Sequence, residues 1–153
     1  MATNKKSEVD ASQYSYVFKV MFPNRCYRHI KMSALHTLEM LHSIILEETL
    51  FYDKRHAHSF FMDNKAYNSY SEIPGADFPS PIHSSSTPTD REYTIFDLHL
   101  YLGQKFKYIF DFGDDWRFTC TVIDILKEPT DNPVVIESKG KPPKQHPDFV
   151  WEG

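Results

Sequence analysis

Alternating apolar and polar residues predict a β-hairpin in the second half of the chain. Residues at every second position are aromatic before a short acidic connection, and the alternation resumes after it. The predicted apolar face consists of Phe106, Tyr108, Phe110, Phe112, Trp116, Phe118, Cys120 and Val122. The sequence therefore predicts two paired strands that bury one aromatic face.

The register of this hairpin follows from matching the two apolar faces. A three-residue loop at 113–115 sets Phe112 opposite Trp116 and Phe110 opposite Phe118. On the reverse face, the same register pairs Asp111 with Arg117 and Lys107 with Thr121. Gly113 is expected to supply the positive φ that short hairpin connections need.

The rest of the pattern predicts three more strands, two helices and an edge strand. The predicted strands cover 14–22, 26–31 and 56–62, and the edge strand covers 133–137. Ser33 is the expected N-cap of a helix that ends near Thr49 and carries an apolar face of Leu35, Leu38, Leu41, Ile44 and Ile45. Thr94 is expected to cap a second helix that ends at Gly103. The Ser-, Pro- and Thr-rich stretch 68–89 is expected to be a long loop.

These elements predict one α+β domain, with a mixed or antiparallel sheet whose aromatic hairpin is packed by two helices. The domain is expected to cover 14–147, after a disordered leader at 1–13 and before a tail at 148–153. A chain of 153 residues that is 41% hydrophobic and 15% aromatic can build a core of its own.

Composition and charge narrow the classes of function. The net charge of −4 and pI near 6.0 do not favour a general electrostatic grip on nucleic acid. Cys26 and Cys120 lack metal-ligand spacing, and Cys120 falls on the apolar face of the hairpin, so reduced buried thiols are expected. Because no stretch has transmembrane length or the pattern of a signal peptide, we expect a soluble, cytoplasmic protein without a membrane partner.

His56 and His58 are candidate ligand-binding residues. The two histidines are two positions apart in a predicted strand, so their rings would lie on the same side of that strand. Asp53 is close upstream. Imidazole and carboxylate groups suit zinc or iron, so the pattern fits half of a metal site, which His42 or His146 would have to complete. The alternative is a polar stripe at the start of a strand. We assign no residue as a metal ligand and predict no cofactor.

Arg28 and the acidic hairpin tip are the other candidates. Arg28 shares strand parity with Ile30, which places it toward a partly buried face, where it needs either a carboxylate partner or a bound anion. Asp114 and Asp115 are either solvated turn residues or a functional acidic tip. The predicted binding set is thus Arg28, His56, His58, Asp114 and Asp115.

Several motifs, in order along the chain, resemble a known family. Tyr27-Arg28-His29-Ile30, Leu41-His42 and His56-Ala57-His58-Ser59-Phe60 are similar to motifs of the PRiA-type plasmid ORF-three-like family, although Tyr27 replaces a tryptophan. The most specific resemblance is Tyr108-x-Phe110-Asp111-Phe112-Gly113-Asp114-Asp115-Trp116, and Gly140 and Pro142-Pro143 match the end of the family pattern. Family members are often labelled insertion-element passenger proteins of TnpR type. The resemblance implies an α+β domain without an established biochemical function.

Three functions remain open. A binding or adaptor module, linked to plasmid or mobile-element biology and recognising a protein or small ligand, fits a chain without HExxH, CxxC, Walker or GxSxG motifs. A metal-dependent hydrolase would use the His and Asp groups with an activated water. Nucleic-acid binding through stacking aromatic residues is the third hypothesis, against which the acidic balance counts.

We predict no sequence-specific binding to duplex DNA, because the net charge is −4 and no run of basic residues lies along the sequence. A gel-shift or anisotropy screen at physiological salt should find no duplex site that is bound tightly. One tightly bound site would contradict the prediction, whereas weak, salt-sensitive association would not.

Overall fold

The computed structural model describes residues 9–78 and 86–146, which form a seven-stranded antiparallel sheet with one α-helix on one of its faces. The strands are β1 (Ser15–Met21), β2 (Tyr27–Ser33), β3 (His58–Phe61), β4 (Glu72–Pro74), β5 (Lys105–Phe110), β6 (Trp116–Leu126) and β7 (Val134–Lys139). Their order across the sheet is β4-β3-β5-β6-β1-β2-β7. The helix, α1, spans Leu38–Thr49.

The predicted α+β class with two helices is wrong: the described residues form a largely β fold. Where the second helix was expected, Phe96–Leu98 forms a single 3-10 turn. Thr94 and Asp97 do cap it reciprocally, with Thr94 Oγ1 accepting from the Asp97 N–H and Asp97 Oδ2 accepting from the Thr94 N–H. The chain then leaves helical geometry, because His99 adopts a left-handed conformation (φ 49°). The two capping hydrogen bonds thus begin a single turn, and tertiary packing does not extend this turn into a helix.

Helix α1 begins later than its sequence suggested. Ser33 remains the last residue of β2, and Thr37 is the N-cap, its Oγ1 accepting from the Met40 N–H at 3.3 Å. Leu35 therefore lies outside the helix and is 53% exposed. The helix ends at Leu50, whose left-handed φ of 59° closes the last turn. The residues buried from this helix are Leu38, Leu41, His42, Ile45, Leu46 and Thr49.

The aromatic hairpin forms with a different register, and it keeps the predicted apolar face except at Phe112, which lies in the connection against Tyr67. Phe110 pairs with Trp116 and Tyr108 with Phe118, so the connection has five residues, 111–115, rather than three. The positive φ values belong to Asp111 (60°) and Asp115 (58°), not to Gly113. The apolar face survives because the shift is two residues, which preserves the alternation of the strands.

The predicted pairs on the reverse face are consequently wrong. Arg117 lies opposite Ile109 and forms its ion pair with Asp115 at 3.0 Å, within the turn, rather than with Asp111. Lys107 lies opposite Thr119, to which its Nζ donates at 2.9 Å, and not opposite Thr121. Local hydrogen bonds of Asp111, described below, decide this register.

The other boundaries differ by a few residues from their predictions. The strand expected at 56–62 contracts to β3, the loop expected at 68–89 includes β4, and the edge strand extends as β7. In the predicted leader, Ala11–Gln13 forms a 3-10 turn capped by Asp10, whereas residues 1–8 and the tail at 148–153 lie outside the described residues. No helix within 9–78 and 86–146 is long and apolar enough to cross a membrane.

The core lies between α1 and one face of the sheet. Aromatic side chains dominate it and meet edge to face, as in Phe18 with Phe106 and Phe22 with Phe118. Cys26 and Cys120 are free and buried, as predicted, and burial raises the pKa of the Cys120 thiol. The opposite face of the sheet carries mostly polar side chains.

Phe110→Ala is expected to lower the free energy of unfolding by roughly 3–5 kcal/mol, because it empties a fully buried aromatic position. Phe112→Ala is the matched control: Phe112 is only half-buried in the connection, and its loss should cost about 1 kcal/mol. Urea denaturation measures both. Equal losses would contradict the observed register.

Candidate functional site

The five predicted binding residues do not converge on one cleft. Arg28 lies in β2, His58 is buried in β3, and His56 precedes that strand. Asp114 and Asp115, although adjacent, make contacts with different parts of the chain. The prediction that His56 and His58 share one side requires both to be in the strand, but the strand begins at His58.

Arg28 is held in a salt bridge. Its Nε donates to Oε1 of Glu48 at 2.9 Å, and its NH1 group donates to the carbonyl oxygens of Tyr27 (2.9 Å) and Gly140 (3.1 Å). Phe22 lies 5.6 Å from the guanidinium carbon. A buried arginine needs such partners, and here they tie the last turn of α1 to the segment that follows β7.

His58 belongs to a buried polar network. Its Nε2 donates to Oδ2 of Asp90 at 2.6 Å, and its ring stacks on that of His42, with centroids 3.5 Å apart. A further hydrogen bond of 2.6 Å joins His42 Nδ1 to the Tyr108 hydroxyl. The side chains of His58 and Asp90 are fully buried, so this network is closed to solvent. We interpret it as structural.

The chain around the network is built to fit the His58 ring. A Cβ on Gly75 would lie 2.3 Å from that ring, so only glycine fits there. The Ala76 N–H donates to Oδ1 of Asp90 at 2.9 Å, which occupies the second carboxylate oxygen. The contacts of Asp90 with His58 and of Tyr108 with His42 were not predicted, because nothing in the local sequence signals a contact with a distant histidine.

Burial shifts the proton equilibria of this network. Desolvation, aided by His58, lowers the pKa of His42 to about 2. Desolvation also raises the pKa of Tyr108 well above its ordinary value. Both side chains are thus neutral over the physiological pH range, which suits a hydrogen bond between uncharged groups in a dry core.

A second group of polar residues, at the surface, joins the hairpin to the segment before β3. The His56 cluster consists of Asp53, His56 and Asp111. His56 Nε2 donates to Oδ2 of Asp53 at 3.0 Å and lies 3.6 Å from Oδ2 of Asp111. The sequence predicted the proximity of Asp53 and assigned Asp111 chiefly to Arg117. The pairing of β3 with β5 instead brings Asp111 to His56.

The carboxylates of this cluster are held in place by backbone donors. Oδ1 of Asp53 accepts from the Arg55 N–H at 3.2 Å, and Oδ1 of Asp111 accepts from the Gly113 N–H at 3.2 Å. The hydrogen bonds from the Arg55 N–H and from His56 hold the pKa of Asp53 below its usual range. Asp53 is therefore ionised near neutral pH.

Asp114 and Asp115 diverge from each other. Asp114 lies 3.7 Å from Nδ1 of His146, next to the His56 cluster. Asp115 pairs with Arg117 and accepts a 2.6 Å hydrogen bond from the Tyr67 hydroxyl. Only Asp114 of the two therefore contacts the segment after β7.

A surface groove lies between the end of α1 and the segment after β7. It has a volume of about 320 Å³ and is lined by residues 49–52 on one side and 142–146 on the other. Leu50 and Tyr52 are 77% and 80% exposed, while Phe51 packs on Trp116 with ring centroids 4.9 Å apart. The groove thus has an apolar part that rests on the aromatic hairpin, beside the polar lining residues Thr49, Lys144, Gln145 and His146.

Two sets of hydrogen bonds hold the walls of the groove together. At one end, Arg28 links Glu48 of α1 to Gly140. At the other, the Gln145 side chain accepts from the Asp53 N–H (3.0 Å) and donates to the Asp53 carbonyl (2.6 Å). The second set places the His56 cluster beside the groove, with Asp114 and His146 at the rim.

The described residues do not provide the complete ligand set that the metal-site hypothesis requires. Within residues 9–78 and 86–146, no group of three or more His, Cys, Asp or Glu side chains is arranged to hold a metal ion. His42 does approach His58, as the hypothesis required, but as a stacked ring. His146 approaches Asp114 instead.

Comparison with known proteins confirms the family. The chain belongs to the plasmid pRiA4b ORF-3-like protein family, whose sequence model matches residues 18–151. A crystal structure of a protein of unknown function from Methanosarcina mazei Go1 is similar, with a TM-score of 0.65 and 20% identity over 86% of this chain and 72% of that one. At that identity the likeness establishes the fold alone. No curated protein matches the chain significantly.

The depressed pKa of His42 predicts that folding stability falls with acidity. His42 binds a proton in the unfolded chain below its ordinary pKa of 6.5 but stays neutral in the folded protein down to about pH 2. The contribution of neutral His42 to the free energy of unfolding is thus fully present above pH 6.5. It decreases below that pH, by up to about 1.4 kcal/mol per pH unit. His42→Gln should remove this contribution, which urea titrations at pH 6 and pH 5 measure.

The comparison needs a histidine control. His99 is exposed and lies outside the buried network, so His99→Gln should keep the contribution of His42. The stability difference between the parent and His42→Gln should shrink by about 1 kcal/mol from pH 6 to pH 5. A difference that does not change with pH would refute the assignment of a neutral, buried His42.

Proposed function

We propose that this plasmid pRiA4b ORF-3-like protein is a binding module that takes a short protein segment into the groove formed by residues 49–52 and 142–146. The segment carries an apolar side chain for the groove and a lysine or arginine for the adjacent carboxylates. The observation that carries the proposal is the position of this apolar groove directly beside the His56 cluster.

The apolar part of the proposal rests on exposed surface that folding does not explain. Leu50 and Tyr52 stand out into solvent opposite Pro142 and Pro143. A tyrosine offers a large, rigid contact area at low entropic cost, and clustered exposed apolar side chains mark interaction sites. The volume of about 320 Å³ is enough for a few side chains rather than for a domain.

The charge of the rim favours a cationic side chain. Asp53, Asp111 and Asp114 lie at this end of the molecule, against two nearby cations, Arg55 and Lys144. Among the Asp, Glu, Lys and Arg side chains named here, three carboxylates therefore face two cations. A partly desolvated carboxylate can bind an ammonium or guanidinium group through charge-assisted hydrogen bonds.

The site is also preorganised. The Arg28 contacts and the Gln145–Asp53 hydrogen bonds fix both walls before any ligand arrives. A rigid site loses less conformational entropy on binding, which increases affinity without further contacts. Arg28 thus supports the groove from below, while Asp114 is the predicted binding residue placed at its rim.

The family description supports a link to plasmid or mobile-element biology, in which an adaptor would recruit another protein. The alternative of a metal-dependent hydrolase gains no supporting observation from the described residues. The binding module is the function that the geometry supports best.

A displayed library of random heptapeptides, panned against the purified protein, tests the proposal. Enriched peptides should combine an apolar residue with Lys or Arg. The double variant Leu50→Asn/Tyr52→Ala should lose this enrichment, because it removes the exposed apolar wall. Asp114→Asn should weaken binding of enriched peptides by up to about fivefold, as expected of one exposed charge pair.

The matched control is Leu102→Asn/Tyr101→Ala, which removes the same two side-chain types from another exposed site. It should bind the enriched peptides like the parent protein. Failure of the parent to enrich any peptide family, or equal loss in both double variants, would reject the groove as the binding site.

A further inference from the structure

The face of the sheet opposite α1 carries two rows of aligned polar side chains. Strand pairing places one row across β5, β6, β1, β2 and β7 as Lys105, Thr121, Lys19, His29 and Glu137. The adjacent row, two residues along each strand, is Lys107, Thr119, Met21, Tyr27 and Lys139. We call these ten residues the basic face. Paired residues share a face, so all ten side chains lie on the same side of the sheet.

Four lysines give the basic face its charge. Three of their ammonium groups are directed over neighbouring strands: Lys105 Nζ to Thr121 Oγ1 at 3.3 Å, Lys107 Nζ to Thr119 Oγ1 at 2.9 Å, and Lys19 Nζ over the Tyr27 ring at 4.5 Å. Among residues 9–78 and 86–146, none of these three lysines has a carboxylate within ion-pair distance. Glu137 is the one acidic residue of the two rows, and it pairs with His29 at 2.9 Å.

The surroundings of Lys107 disfavour its positive charge. Partial burial, followed by the nearby Arg117 and Lys105, lowers the pKa of Lys107. Nothing in the fold requires cations to gather here, since threonine alone would satisfy the exposed side of these strands. An anion placed among the lysines would relieve the repulsion.

An aromatic pair lies within the same face. The rings of Tyr27 and His29 stack with centroids 5.0 Å apart and planes 20° apart. Tyr27, His29, Lys19 and the two threonines are all partly exposed. Two contacts cover other parts of this face locally. Tyr67 packs on Phe61 near β3, and the Ser15 hydroxyl donates to the Glu128 carbonyl at the far end of β1. Between these two points, the side chains of the basic face are partly or fully exposed within residues 9–78 and 86–146.

We propose that the basic face binds single-stranded nucleic acid without sequence preference, the lysines contacting phosphates and the Tyr27–His29 pair stacking on a base. Open antiparallel sheet faces with aromatic residues can stack two or three bases of a single strand. Stacking on aromatic rings is tolerant of sequence, and lysine contacts to phosphates carry no sequence information.

The combination of groups favours nucleic acid over an acidic protein segment. A carboxylate-rich peptide would use the lysines but has no planar group for the aromatic pair. A single strand presents a phosphate and a base in each unit and can therefore use both. The net charge of −4 does not oppose this proposal, because the carboxylates of the rim of the groove and the lysines of the basic face belong to different surfaces. It is independent of the groove and of its peptide ligand.

Fluorescence anisotropy with a labelled 20-nucleotide oligo(dT), at about 50 mM and about 200 mM salt, tests the proposal. Four lysine contacts predict a slope of log K against log[salt] near −3, from about −0.7 per phosphate on single strands. The triple variant Lys19→Gln/Lys105→Gln/Lys107→Gln should weaken binding at least tenfold and flatten the slope toward −1. Tyr27→Leu should weaken binding about fivefold while preserving the slope, because it removes stacking and leaves the charges in place.

The matched control is Lys54→Gln/Lys65→Gln/Lys141→Gln, which removes three lysine charges from exposed sites outside the basic face. It should bind the oligonucleotide within about twofold of the parent. The proposal would be overturned if both triple variants weakened binding equally. It would also be overturned if the parent bound a 20-base-pair duplex or poly-glutamate more tightly than oligo(dT). No detectable binding of oligo(dT) to the parent at low salt would do so as well.

Discussion

The hydrogen bonds of the Asp111 carboxylate determine how β5 and β6 pair with each other. Oδ1 accepts from the N–H groups of Gly113 (3.2 Å) and Asp114 (3.4 Å), while the backbone N–H of Asp111 donates to the Ala57 carbonyl at 2.8 Å. These contacts stabilise a left-handed Asp111 and end β5 at Phe110. The five-residue connection, and with it the register of β6 against β5, follows from this one side chain.

That register in turn aligns both surfaces of the sheet. With Phe110 opposite Trp116, the aromatic residues of β5 and β6 fall on the core face and support Phe51 beneath the groove. On the reverse face, the same pairing places Lys105 opposite Thr121 and Lys107 opposite Thr119. A single sheet thus separates an acidic, apolar groove on one side from a lysine-rich face on the other, and keeps two opposite charges from neutralising each other.

Burying polar groups in the core costs free energy, and the packing of the core offsets this cost. His58, Asp90, His42 and Tyr108 form hydrogen bonds in place of those to water, although Nδ1 of His58 has no partner among the described residues. An unsatisfied buried acceptor costs on the order of 1–3 kcal/mol. The network also specifies one arrangement of the chain: the Asp90–His58 hydrogen bond holds Asp90 against β3, and Gly75 permits the backbone after β4 to approach the His58 ring closely.

The sequence by itself determined the elements whose signal is local. Alternation predicted the aromatic hairpin faces and the strands near β1 and β2, and apolar residues spaced three and four apart predicted the helix α1. The motif around Phe110-Asp111-Phe112 predicted the family, because periodicity and motif are properties of neighbouring residues. Tertiary structure decided the rest. It limited the Thr94 helix to one turn, buried His58 beside Asp90, and brought Asp111 to His56 through the pairing of β3 with β5. It also assembled Lys19, Lys105, Lys107 and Lys139 into one face, although no basic run exists along the chain. Contacts between residues so distant in sequence depend on strand order and register, which no local pattern encodes.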